Sequence, residues 1–433
     1  MTTVCYTVND IKDIIQYARN RYYTLSIASA MNADAIAWKS FNKKHIQIIN
    51  KMNKIIEINT TENYIIVESA ITWISLLEEL DKLGYTLYTS QSGLTFSVGG
   101  SFCGNAHGRK TQIPMVKDTI LEFTFVDGLG NIHTVNYQSD VFHAFPGSLG
   151  LIGIITTIKL KIRKRYNVCA NHRIIPYSKE NIDYIYSLTQ DPNICMLNIQ
   201  VSYFSTIKEI IVVEHRYNNL PVIDSYNKTQ YTKDSHTYYT FCVLLLVILS
   251  AFSFLDFTRW TLEKYVSKTA VNTHSCININ NSFDNWSRPY YPNFKIIEFF
   301  FPKNAYMYCQ STMMKLFTKH GMLPLSSGTR IIYEQTPIKG YLRFSHASSR
   351  KNPYYSLVIN FIENRNIYTL VDDIRSFIID NNIHMTYHTT YKFPFSIMDM
   401  QHMFPDLNDF IQIKRLYDPE SIFTNTFNEL YLQ

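Results

Sequence analysis

A chain of 433 residues with 46% hydrophobic and 18% charged residues holds too much apolar material to be disordered. It is also too long for one ordinary core, so two domains or one large split domain is the starting expectation. The net charge of +6 is spread thinly. The densest basic run, KSFNKKH at 39–45, reads as a solvated surface and not as a phosphate track, so no nucleic-acid partner is expected.

The N-terminus, MTTVCYTVNDIKDII, lacks a basic region followed by an apolar run. No signal peptide is expected, and the sequons at Asn59, Asn227 and Asn285 read as chance matches. Residues 8–20 predict a helix opened by Asn9-Asp10, and YYTLSIAS predicts a short strand. HIQIINKMNKIIEINTTENYIIVESAIT alternates as strands, and Ile71 to Leu83 predicts a helix ended by Gly84. A long loop, QSGLTFSVGGSFCGNAHGR, follows. DTILEFTFVDGLGNIHTV then predicts a hairpin turning at Asp127-Gly128 and Gly130-Asn131, and SLGLIGIITTIKLKI a buried strand.

From 169 to about 390 the pattern is less regular. Strands are expected at IKEIIVVEHRY, FKIIEFFFP and YYSLVINFIE, and helices at AYMYCQSTMMKLFTKHG and IYTLVDDIRSFIIDN. Such an α+β mix suits a sheet with helices on one side. Within 237–260, Thr237 to Leu255 carries no charge. A core helix, a lid touching a membrane surface and a true span are all open by length and hydropathy. The mid-chain position argues against a span, so the expected location is cytoplasmic, with peripheral membrane contact as an option. Seven cysteines, at 5, 103, 169, 195, 242, 276 and 309, form no CxxC and no zinc spacing with His. Reduced thiols and no metal site are the expectation.

The stretch 95–109, TFSVGGSFCGNAHGR, concentrates Gly99, Gly100, Gly104 and Gly108 in a chain with only 14 glycines. Glycines allow close backbone approach and positive φ, so their amides are expected to form a nest around an anion. No GK[ST] follows, so it is not a P-loop. A packing loop is the bland alternative.

The residue order goes further. VGGSFCGNAHGR resembles the T-V-G-G…H-G-[RK] signature of the vanillyl-alcohol-oxidase superfamily of FAD-linked oxidases. The flanks resemble it too, in IIVESAITWISLLEELDKLGYTL, KDTILEFTFVDGLGNIHTV, DVFHAFPGSLGLIGIITTIKLKI and, at the far end, MFPDLNDFIQIKRLYDPESIFTN. The nearest branch looks like the aldonolactone and alditol oxidases and the decaprenylphosphoryl-ribose oxidase. The resemblance implies an α+β fold. Residues 1–168 would form a two-subdomain FAD-binding domain and 169–384 an antiparallel-sheet substrate domain, with 385–433 returning to the first.

It also implies FAD contacts from Ser97, Val98, Gly99, Gly100, Gly104, Asn105, His107 and Gly108, then from Gly153, Ile154 and Ile155. The N-terminal pyrophosphate loop of the family corresponds to LSIASAMNADAI, which keeps Ser29 but has no glycine. It also lacks the His that tethers flavin in some relatives, so non-covalent FAD is expected. For His107 a hydrogen-bonding role near the flavin is preferred to catalysis.

Oxidising a CH–OH group needs a hydride acceptor, which flavin supplies, and a base for the hydroxyl proton. Lys392, in HTTYKF, resembles the family lysine beside flavin and substrate, although Phe393 follows it in place of the usual Asp. Glu298, in KIIEFFFP, is costly to bury unpaired and resembles a substrate-facing strand residue. Arg330, in SGTRIIYE, resembles the arginine of the alditol-oxidising branch, and Tyr387 is a further pocket candidate. The expected activity is FAD-dependent oxidation of a sugar, polyol, aldonolactone or lipid-linked sugar. The alternatives are a lipid- or sterol-acting relative and a relic of the fold without activity.

Overall fold

The computed structural model describes residues 1–29, 40, 43–91, 93–204, 207–218, 256–269, 294–335, 342 and 351–432. The apolar run 237–255 and residues 30–36 lie outside these. No helix among the described residues is long and apolar enough to cross a membrane, and the five described cysteines form no disulfide.

The described strands make three sheets, taken up in chain order. β1 (Thr2–Cys5), β2 (Thr24–Ala28) and β3 (His45–Asn50) form a parallel sheet in the order β1-β3-β2. Helix α1 (Val8–Arg21) covers it with Ile11, Ile15 and Ala18, one stripe at helical spacing. Its cap is Thr7, not Asn9-Asp10. Thr7 and Asp10 form a capping box, each side chain meeting the other's backbone N–H.

The second sheet runs β4 (Ile55–Asn59), β5 (Tyr64–Glu68), β9 (Gly153–Lys164), β7 (Ile120–Asp127), β8 (Ile132–Asn136), with β6 (Tyr85–Leu87) also on β9. All its pairings are antiparallel. Helix α2 (Trp73–Lys82) packs against it, and Gly84, at φ +74°, turns the chain where the sequence predicts an end. The short helices α3 (Val98–Cys103) and α4 (Asp140–Ala144) complete this part.

The third sheet is antiparallel, in the order β10 (Asn167–Pro176), β12 (Glu209–Asn218), β11 (Ile194–Val201), β14 (Leu323–Ile332), β15 (Tyr354–Ile362), β13 (Phe294–Pro302), β16 (Thr386–Tyr387). Helices α5 (Lys179–Leu188), α6 (Asp256–Thr269), α7 (Tyr306–Lys319) and α8 (Ile367–Asp380) accompany it. The strands β10, β11 and β14 and the helix α6 have no clear periodic signal and are not predicted from the sequence. Strand register sorts the residues. Phe299 opposes Leu357 and Phe301 opposes Tyr355, and this side meets α7 through Tyr306–Tyr355 and Phe317–Phe361 ring contacts, both at 5.0 Å. Glu298, Phe300, Arg330 and Ser356 fall on the other face.

The chain ends in α9 (Ile397–Met403), α10 (Leu407–Tyr417) and α11 (Thr426–Tyr431). This tail joins the first sheet: Leu25 N–H donates to Ile422 C=O at 2.6 Å and Thr424 N–H to Leu25 C=O at 2.9 Å. A buried ion pair locks it. Lys414 Nζ donates to Asp418 Oδ2 at 2.6 Å, to Leu151 C=O at 3.0 Å and to Phe423 C=O at 2.9 Å. Asp418, 0% exposed, also accepts from the Ile422 and Phe423 amides. Replacing Lys414 by Met strands that carboxylate. The expected loss is about 3–5 kcal/mol, read as a lower urea midpoint at unchanged slope.

Candidate active site

Between the first two sheets, the loop singled out by its glycines folds as the short helix α3, capped by Ser97. This corrects the nest expectation. None of Gly99, Gly100, Gly104 or Gly108 has positive φ; the left-handed residue is Asn105, at φ 53°. The amides are also spent within the protein. Val98 N–H donates to Ile71 C=O, Gly99 N–H to Ser69 C=O and Gly100 N–H to Ser97 Oγ. The glycines serve close approach instead. A Cβ on Gly99 would meet Ser69 Cβ at 2.8 Å, and one on Gly104 would meet Thr390 Cγ2 at 2.9 Å.

Ser69 is the hub of this contact. Its hydroxyl donates to Ile155 C=O at 2.5 Å and accepts from Asn50 Nδ2 at 3.0 Å, joining β3, β9 and α3. Phe102 anchors α3 from below, its ring 5.2 Å from Phe123, and Trp73 Nε1 donates to Ser101 Oγ at 2.7 Å.

Above α3 opens a cleft of about 1290 Å³ counting its mouth. The first sheet contributes Ser26, Ser29, Gln47 and Asn50; α3 and its ends contribute Ser97, Gly99, Gly100 and Gly104; β9 contributes Gly153 and Ile155. His388, Thr390, Tyr391 and Asn425 close it from the C-terminal stretch. The described lining carries hydroxyls, amides, apolar walls and low glycine surfaces, but no carboxylate. That suits a flat ring joined to a ribose and pyrophosphate. Val98, Asn105, His107, Gly108 and Ile154 are not in the wall. Val98 and Ile154 are core residues, and a Cβ on Gly108 would meet Ser90 C=O at 2.6 Å.

Beside the cleft lies a buried charge cluster. Glu298 is 1% exposed, and His107 Nε2 stands 3.1 Å from its Oε1. Arg330 Nη1 lies 3.4 Å from His107 Nδ1. A guanidinium only donates, so Nδ1 is the acceptor and the proton on Nε2 faces the carboxylate. Burial pushes the Glu298 pKa up, but His107, by charge and hydrogen bond, with Arg330 and His388 behind it, holds it well below the carboxylate range.

Nitrogens of His107 and His388 and an oxygen of Glu298 lie within 4.8 Å of one another, close enough to share a cation. The guanidinium already serving that cluster opposes a second positive charge there. The structure thus brings Glu298, Arg330 and His107 together. It leaves Lys392 exposed, and it packs Tyr387, 0% exposed, against Phe395 and Phe404. Sequence reasoning missed His388. The only signal was a polar run, HTT, directly after β16.

Residues 2–136 match the family described as FAD binding domain. A cytokinin dehydrogenase 3 from Arabidopsis thaliana is 26% identical over 164 residues, 36% of this chain and 31% of its own. A D-arabinono-1,4-lactone oxidase from Candida glabrata is 27% identical over 135 residues, 30% of this chain and 26% of its own. An L-gulonolactone oxidase from Scyliorhinus torazame is 23% identical over 159 residues, 36% of this chain and 35% of its own. The matched stretch therefore spans about a third or less of these relatives.

Two outcomes follow for the site. Gly100→Phe puts a ring into the cleft from a position whose Cβ meets only the Ser97 and Ser29 hydroxyls; the protein should purify folded but without flavin absorbance. Glu298, with its pKa depressed on folding, contributes stability that is fully present above its unfolded value of about 4.3 and is lost as pH falls through the folded value. In Glu298→Gln that acid-side dependence of the denaturation midpoint should flatten.

Proposed function

We propose that this member of the FAD-linked oxidase superfamily oxidises a CH–OH group of a sugar-like substrate: a sugar, polyol, aldonolactone or lipid-linked sugar. The reading takes 1–168 as the FAD-binding unit, 169–384 as the substrate unit and 385–433 as the returning segment that closes the cleft. Its main support is one juxtaposition. The cleft faced by α3 and β9 meets the buried Glu298–His107–Arg330 cluster where His388 lines the wall.

When bound, FAD supplies the acceptor for the hydride leaving the carbinol carbon. The protein's own groups do the rest. Arg330 holds the substrate oxygen and stabilises negative charge developing on it, and Glu298 orients His107 and keeps Arg330 in place. Ser29, Ser97 and Asn50 bind the polar parts of the cofactor.

We take the flavin to be non-covalent. Cys103, in the cleft wall, is a poor tether because burial pushes its thiol up to about 12. The recognised relatives whose names refer to lactones and the polar site together favour a polyhydroxylated substrate over a sterol.

The purified protein should be yellow, and a polyol or aldonolactone should bleach it in the absence of oxygen. Acid precipitation should leave the flavin in the supernatant, and Arg330→Met should slow bleaching by about 10²–10³-fold. A colourless protein that takes up no added FAD would end this reading.

A further inference from the structure

Helix α6 docks on the third sheet through polar side chains. Trp260 Nε1 and Lys264 Nζ donate to Glu209 Oε2 at 2.5 and 3.0 Å, and His172 Nε2 lies 2.9 Å from Ser267 Oγ. Gln200 Nε2 donates to Glu263 Oε2. Ile211 opposes Gln200 and Val213 opposes His172, so Gln200, Glu209 and His172 share one face of the sheet. That face also carries Glu298. Ile199 opposes Thr329, which sets Gln200 beside Gly328; Gly328 opposes Val358, and Val358 opposes Glu298.

At the centre of the docking contact is Glu263, 4% exposed. Tyr203 Oη lies 2.6 Å from its Oε1 and 3.0 Å from Leu325 C=O, and accepts from Arg259 Nη2 at 2.8 Å. Leu325 falls in the bulge of β14, outside its register with β15. A phenol has one proton and cannot serve both acceptors at once. A proton on Glu263 Oε1 completes the set: the acid donates to the phenol, the phenol to Leu325, and Gln200 to the other carboxyl oxygen. An ionised Glu263 claims the phenol proton and takes it from Leu325.

We propose that Glu263 is a protonation switch: as the neutral acid it docks α6 on the third sheet, and its ionisation loosens the helix from the face that carries Glu298 and Arg330. The switch depends on neither flavin nor oxidation. Burial pushes the Glu263 carboxyl up to about 7, against the Tyr203 and Gln200 hydrogen bonds and the Arg259 charge, which lower it. A carboxyl so raised contributes stability that is fully present below its unfolded value of about 4.3 and is lost as pH rises through the folded value. The groups around it do not share that window. Burial beside Glu263 holds the Tyr203 phenol well above its ordinary value, so it keeps its proton. Arg259 reaches Pro324 C=O at 2.9 Å and stands 3.8 Å from Asp256. Glu209 is paired with Lys264. Burial and Lys268 push the His172 imidazole down, so it disfavours docking only on the acid side.

Two measurements on the full chain test this. Amide hydrogen exchange of α6, corrected for intrinsic exchange rates, should show local opening rise about tenfold between about pH 6 and pH 8. Glu263→Gln keeps a donor for Tyr203 and an acceptor for Gln200, so it should fold with α6 docked, and its opening should not rise over that range. His172 is present in both proteins, so the difference between them isolates Glu263. At the acid end of the range, an infrared band of a protonated carboxyl should be present in the parent and lost in Glu263→Gln. Equal pH slopes in the two proteins, an α6 already unprotected at the acid end in the parent, or no carboxyl band lost on substitution would each overturn the switch.

Discussion

A carboxylate with 1% exposure cannot stay charged in an apolar sheet unless positive groups meet it. Glu298 obtains one cation and two imidazoles from three parts of the chain that are distant in sequence. His107 follows α3, Arg330 lies on β14 and His388 follows β16. Satisfying that one charge fixes how the third sheet meets the glycine-bearing loop. The cleft lies beside it, and His388 is the residue of the cluster that lines the wall. Removing the carboxylate would leave His107 Nε2 without its partner at 3.1 Å, so the cluster stands or falls as a unit.

The second constraint is shape. At α3 the helix packs so close to Ser69 and Thr390 that a methyl group at Gly99 or Gly104 would collide with them. The amides there already bond to Ile71, Ser69 and Ser97. This part of the cleft is thus a low surface rather than a ring of donors, and the polar side chains of Ser26, Ser29, Gln47 and Asn50 line the cleft alongside it. The cluster of glycines was plain in the sequence. Its reason was not, because a glycine needed for positive φ and one needed for close approach look alike until the neighbour is known.

The tail illustrates a third limit. Lys414 and Asp418 are an ordinary i,i+4 pair on a helix pattern, which usually means a solvated surface. Here the pair is buried, reaches Leu151 on one side and the Ile422–Phe423 amides on the other, and ties the chain's end to β2. Nothing local distinguishes it from an exposed pair. Burial is a property of what packs over it.

Local chemistry read directly from the residues determined the helix ending at Gly84, the hairpin at 127–131 and the strands β12, β13 and β15; order of motifs at both ends of the chain pointed to a flavin-binding family. These rest on periodicity and turn residues, which act over a few positions. Tertiary structure alone decided which polar residues meet. Glu298 and Arg330 converge, Tyr387 turns into the core, Lys392 stays exposed and His388 takes the place beside the carboxylate. One residue's shift along a strand reverses the face, and which face borders the cleft depends on contacts between β13, β14 and a loop nearly two hundred residues earlier.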